Sequence, residues 1–206
     1  MGAGRGGYRS VHRFGFYRNG AMRDLVAQSR YTVMMRSLHW LTVALVLTVY
    51  GLTYVVDLYA RGTPERGAVW GLHVSFGLVL LVVVLARLVV RAVGPLPAAA
   101  DALSPLISIA AHAVHMALYA LLIATPVLGI GMKFLRGQSI SLFGLLTIAS
   151  PLTPDREFAR QVLWVHENSA NLLMIVAALH ALAALYHHFI RKDDILQRML
   201  FSTGRR

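Results

Sequence analysis

Nine histidines lie in a chain of 206 residues that is 57% hydrophobic, only 14% charged and without cysteine. Imidazole both ligates metals and carries protons near neutral pH. His166 and His180 stand fourteen residues apart. In a helix that interval is close to four turns, so both rings leave one face about 21 Å apart along the axis. The spacing suits two stacked haems, one toward each end of the helix. Each iron then needs a second axial nitrogen from a facing helix at matching depth. His73 matches His166, and His39 is the best match for His180, provided that the first helix begins several residues before Leu38. Small residues lie one turn from these ligands, where a flat macrocycle would need them: Gly77 near His73, Ser169 and Ala170 near His166, Ala177, Ala183 and Ala184 near His180. The flank of His39 is bulkier, with Thr42 and Val43.

A single histidine in an apolar segment more often makes an interhelical hydrogen bond than ligates a metal. Four that pair by depth favour cofactor ligation, because ionisable groups inside a membrane are functional by default. Zinc fits poorly, since it wants three or four close ligands at one depth and carboxylates are nearly absent from the apolar runs. The lack of cysteine excludes c-type haem attachment, cysteine-ligated iron–sulfur clusters and disulfides. His112 and His115 are read as interface residues, although both could ligate. His187 and His188, beside Arg191 and Lys192, read as an interfacial basic patch.

The elements that must position these residues are long and apolar. Residues 38–56, 69–86, 102–132 and 168–190 carry no formal charge. About 20 such residues cross a hydrocarbon core of roughly 30 Å, and only a helix satisfies its own backbone there. The predicted architecture is therefore an all-α membrane protein, a four-transmembrane-helix bundle enclosing two b-type haems. The third run is too long for one simple span, so Pro105 is expected to start the helix and Pro126 to kink it. Breaks fall at residues 61–67, at 94–101 and across 136–155. Within the last, residues 140–149 are apolar enough to dip into the membrane interface.

The net charge of +11, from 20 Lys and Arg against 9 Asp and Glu, invites a nucleic-acid reading. The charges are clustered between apolar runs and leave no polar face for one. Of the 20 cations, Arg61, Arg66, Lys133, Arg136, Arg156 and Arg160 fall on one side and fourteen on the side of both termini. The positive-inside rule then places both termini in the cytoplasm. Without the six arginines through Arg30 the comparison is eight against six. Residues 1–30 have no apolar core and read as a basic Gly/Arg-rich cytoplasmic tail. Residues 31–200 form the transmembrane domain, and 201–206 a basic C-terminal tail.

Particular stretches sharpen this reading: Ser37-Leu38-His39-Trp40, Gly71-Leu72-His73-Val74-Ser75-Phe76-Gly77, Ala111-His112-Ala113-Val114-His115, Arg136-Gly137 before Phe143-Gly144, Trp164-Val165-His166-Glu167-Asn168-Ser169-Ala170-Asn171, and Leu179-His180-Ala181 leading to His187-His188. In order and spacing the chain resembles the bacterial cytochrome b561 family over roughly residues 31 to 200. These are four-helix di-haem, quinone-linked cytochromes of the inner membrane. The resemblance implies His39 with His180 on the inner haem b and His73 with His166 on the outer one. One branch of the family is a superoxide oxidase, passing electrons from superoxide on the periplasmic face to ubiquinone on the cytoplasmic side. Two histidines on each iron leave no open coordination position, which suits electron transfer rather than oxygen activation. Lys133 and Arg136, with Arg156 and Arg160, would steer an anionic donor; holding haem propionates or lipid headgroups is an equal reading of these cations. The resemblance also implies that His187 hydrogen-bonds a quinone carbonyl, with Trp40 stacking nearby.

The rival expectation is a cytochrome b anchor subunit taking electrons from a periplasmic dehydrogenase or hydrogenase within a respiratory assembly. A third, a haem-free transporter or scaffold, predicts a colourless protein.

Overall fold

The computed structural model describes residues 31–94 and 105–201. The tail of residues 1–30, most of the break at 94–101 and residues 202–206 lie outside them. Four helices follow in order: α1 (Val33–Val55), α2 (Pro64–Val93), α3 (Pro105–Leu135) and α4 (Arg156–Tyr186). All four are long and apolar enough to cross a membrane. The chain runs up and down, so one end of the bundle carries the first and last described residues (the terminal end) and the other carries the α1–α2 and α3–α4 connections (the loop end).

The helices start where side chains can satisfy free amides. Thr32 Oγ1 accepts from the Met35 amide, and Thr63 Oγ1 from the Arg66 amide with Pro64 and Glu65 following. Asp155 accepts from the amides of Glu157 and Phe158. Such caps contribute about 1 kcal/mol each. Helix α1 does begin before Leu38, and Pro105 does open α3. Helix α3 runs on through Pro126 to Leu135 as one α-helix. Helices α2 and α4 begin five and twelve residues earlier than their charge-free runs, because Glu65, Arg66, Glu157 and Arg160 are accommodated in the opening turns beyond the apolar stretch.

α1 packs along α2, and α3 along α4; α2 and α3 join the two pairs. One apolar layer ties them together, formed by Leu45, Leu80, Val84, Leu122 and Leu173. Leu80, Leu122 and Leu173 each stand seven residues beyond a residue of the histidine levels: His73, His115 and His166. The core thus lies about 10 Å from each level, midway between them.

Residues 140–148 form a small hairpin, β1 (Ile140–Leu142) and β2 (Leu146–Ile148), antiparallel with Ile140 opposite Ile148. Its turn places both Phe143 (φ 51°) and Gly144 (φ 77°) in the left-handed region, the geometry that matches strand twist but disfavours a bulky residue such as Phe143. Packing holds it there. Ser75 Oγ, fully buried on α2, donates to the Ser141 carbonyl and accepts from the Phe143 amide, and the Phe143 ring meets Phe76 edge-on. Ile140 is buried, whereas Leu145 and Leu146 at the tip are exposed. The apolar segment is therefore a hairpin seated on the loop end of α2.

At its far end α4 widens into a π-type turn, His187–Arg191, closed by Lys192 in the left-handed conformation (φ 55°). The chain then folds back onto α1. Trp40 Nε1 donates to the Met199 carbonyl at 2.9 Å and Arg36 Nη1 to the Leu200 carbonyl at 2.8 Å.

Candidate functional site

At the loop end a cavity of about 930 Å³ opens between the helix pairs, lined among others by His73, Gly77, Gly129, His166 and Ala170. His73 lies nine residues into α2 and His166 ten into α4, so their depths match. Both sit more than two turns inside their helices. Their ring centres are 6.3 Å apart, with the planes inclined at 76°. A metal sits roughly 2 Å from a ligating imidazole nitrogen, which is itself roughly 1.1 Å from its ring centre, so two rings on opposite sides of one iron have centres about 6 Å apart.

The tautomers agree with this spacing. His73 Nδ1 lies 3.0 Å from the Val49 carbonyl and His166 Nδ1 lies 2.8 Å from the Thr125 carbonyl. A carbonyl only accepts, so each Nδ1 carries the proton and each Nε2 keeps a free lone pair. That is the arrangement by which outer hydrogen bonds orient histidine ligands. Thr125 Oγ1 in turn donates to Ser169 Oγ, which donates to the His166 carbonyl. Two glycines shape the space. A Cβ on Gly129 would come within 3.1 Å of the His166 ring, tighter than an ordinary contact, so any other residue here would press on that ring. A Cβ on Gly77 would meet nothing within 4 Å, leaving the room that a porphyrin face requires. The cavity and donor set fit a haem.

Across the opening between α1 and α4, Tyr50 donates to Asn171 Oδ1 at 2.9 Å. Lys133 and Arg136 line the cavity mouth, and no ion pair among the described residues engages either. The other cations on this side differ. Arg66 is held by Asp57 and by the carbonyls of Val56 and Tyr59, where it staples the α1–α2 connection. Arg160 is paired with Glu157 and does not line the cavity, so it does not join Lys133 and Arg136 there.

The terminal end is built otherwise. His39 is six residues into α1 and His180 six before the end of α4, so these depths match too. His180 has a second neighbour in His115, with ring centres 5.3 Å apart, and His39 lies within electrostatic reach of both. That separation is shorter than two rings sharing an iron need. His112 points away, exposed, with Nδ1 on the Ser108 carbonyl. Among the described residues, four buried side-chain nitrogens lack a hydrogen-bond partner: Arg36 Nε, His39 Nδ1, Arg87 Nε and His188 Nδ1. All four belong to this end. Orphaned donors of this kind cost about 1–3 kcal/mol apiece and mark a place where a further polar group belongs.

His187 Nδ1 donates to Asp193 Oδ2 at 2.5 Å. Burial works to raise the Asp193 carboxyl, but the His187 and Ile195 hydrogen bonds and the charges of His187 and Arg191 outweigh it and hold the group below the usual carboxylate range. Trp40 meets His39 edge-on at 5.4 Å while its indole N–H holds the folded-back C-terminal segment.

The sequence reading missed His115 as a neighbour of His180 and Arg87 as the cation beside these imidazoles. The signal for both was the fourteen-residue interval already noted on α4. It recurs from His73 to Arg87 on α2, and from His115 to Gly129 on α3.

Four apolar helices with partly buried histidines at two depths, and a cavity shaped for a flat group, define a helical membrane electron-transfer protein of the cytochrome b class. Comparison gives the family. The model for prokaryotic cytochrome b561 matches residues 30–202, and the chain belongs to that family, whose members carry b-type haem. It is similar to the probable superoxide oxidase CybB of Yersinia pestis (32% identity, covering 83% of this chain and 96% of the relative). It is similar to cytochrome b561 homolog 2 of Escherichia coli strain K12 (33%, 83% and 91%). Cytochrome b562 of Cereibacter sphaeroides is 30% identical over 82% of this chain and 94% of its own length.

Proposed function

We propose that the chain is a di-haem superoxide:ubiquinone oxidoreductase of the bacterial inner membrane, with both termini cytoplasmic. His73 and His166 hold the outer haem b, and His39 and His180 the inner one. The observation that carries the reading is the 6.3 Å separation of the His73 and His166 rings, each with Nδ1 tied to a carbonyl. When bound, each haem would supply a one-electron iron couple.

The chain's own residues do the rest. Val49 and Thr125 carbonyls keep the outer Nε2 atoms unprotonated and aimed. Lys133 and Arg136 at the cavity mouth raise the local concentration of a small anion. The leucine layer around Leu80, Leu122 and Leu173 keeps water out of the space between the two levels. Two superoxide anions lose one electron each and leave as dioxygen. Ubiquinone gains both electrons and takes up two protons at the terminal end. His187, its Nδ1–H held by Asp193, would donate to the quinone carbonyl through Nε2–H in its imidazolium form and hand on that proton. Trp40 borders the same region.

Pulsing purified protein with superoxide in the presence of ubiquinone tests this directly. Haem reduction without any added protein, followed by ubiquinol formation, is the expected result. Reduction only with a co-purified dehydrogenase or hydrogenase would establish the anchor-subunit alternative instead. His187→Ala should slow ubiquinol formation while both haem bands persist; loss of a haem band would remove His187 from the quinone site.

A further inference from the structure

Arg87 stands fourteen residues beyond His73 on α2, as His180 stands beyond His166 on α4. It therefore leaves the same face as His73, four turns nearer the terminal end, at the level of the three imidazoles. Its charge reaches His39, His115 and His180. The guanidinium lies over the Tyr119 ring at 5.4 Å, and its Nε is buried without a hydrogen-bond partner. No carboxylate among the described residues pairs with it, and the charge of Arg91 bears on it as a second cation. A buried fixed cation without an anion is costly in any apolar setting, and the guanidinium fork is shaped for a carboxylate. The described residues offer none here.

We propose that Arg87 binds a propionate carboxylate of the haem at the terminal end. This rests on the di-haem reading above. Arg87 then acts as a positioning residue, fixing the rotation of that haem in its plane between His39 and His180. A permanent positive charge beside the iron also favours the reduced state, which draws electrons from the loop end toward the quinone side.

The test uses the full chain carrying its haems, with each haem's reduction equilibrium followed by spectroscopic titration. In Arg87→Met, the terminal-end haem should shift at least tenfold toward the oxidised form, 59 mV for one electron, while the loop-end haem stays in place. Arg87→Lys keeps the charge without the fork and should shift it less. If Arg87→Met loses the terminal-end haem outright and Arg87→Lys retains it, the proposal is likewise supported. Protein loaded with haem dimethyl ester, whose propionates cannot ionise, supplies the second arm, read as haem retention: Arg87→Met should speed loss of the terminal-end haem to a scavenger severalfold with ordinary haem and leave it nearly unchanged with the dimethyl ester. An unchanged terminal-end equilibrium in Arg87→Met overturns the proposal. So does an equal acceleration of haem loss with the dimethyl ester, which would make the anion something other than a propionate, such as a lipid phosphate. Fewer than two haems in the wild-type chain would overturn the di-haem reading itself, a separate and earlier result.

Discussion

At the loop end both ligand imidazoles have their Nδ1 on a backbone carbonyl and face a cavity of about 930 Å³. At the terminal end three imidazoles crowd together, and four buried nitrogens have no partner among the described residues. The same interval along the helices thus ends in two different kinds of site. The loop end is preorganised by backbone, with a glycine at the point of closest approach and a hairpin seated on α2. The terminal end carries donors whose needs the peptide does not meet, and it is closed by a C-terminal segment held through Arg36 and Trp40. On the di-haem account the first site is ready before the cofactor enters, and the second is completed by it. Haem added to apoprotein should accordingly fill the loop-end site first.

The largest effect expected is on the loop end. His73→Ala or His166→Ala should halve the haem content measured by pyridine haemochrome, with the terminal-end band preserved. Unaltered content would place the ligands elsewhere. Next comes the choice at the terminal end, where His180 has two neighbours. His39→Ala should lose the terminal-end haem and His115→Ala should keep it, with a shifted absorption band. The reverse outcome would make α3 rather than α1 the ligand helix there.

Gly129→Ala pushes a methyl group to within 3.1 Å of the His166 ring. It should weaken haem retention at the loop end by about 1–3 kcal/mol, the usual cost of overpacking, measurable as faster haem loss to a scavenger. Ser75→Ala removes both bonds to the hairpin from a fully buried position and leaves the Phe143 amide unpaired. A stability loss of about 1–3 kcal/mol in thermal unfolding is expected, with the terminal-end spectrum unchanged.

The smallest effect concerns pH. Asp193 sits below the ordinary carboxylate value, so its contribution to stability is complete above that value and disappears as pH falls through the lowered native one. Asp193→Asn should flatten the acid side of the stability curve slightly. An unchanged acid side would show that the His187–Asp193 bond adds nothing to the fold.

Much of this bundle could be read in the chain. Four charge-free runs, Pro105 at a helix start and the His166–His180 interval require only length and period. Helix bounds were less accessible, because charged residues such as Glu65 and Glu157 occupy opening turns that a charge-free window discards. Both helices start earlier than such windows imply, and His73 and His166 stand at matching depths in them. Arg87 was counted toward membrane orientation and not toward the site, since a cation near a helix end reads first as a topology signal. Trp40 and the folded-back C-terminal segment could not be paired in advance, because contacts between residues 159 positions apart follow from tertiary closure and not from local pattern. Whether His39 or His115 faces His180 across an iron is likewise a matter of packing.

The most direct test is the number and axial ligation of haems in the purified wild-type chain, by pyridine haemochrome quantification together with low-temperature electron paramagnetic resonance of the oxidised protein. Two b-type haems per chain, both low-spin with two imidazole ligands, is the predicted result. A single haem, or a high-spin iron with an open axial position at either level, would contradict the account.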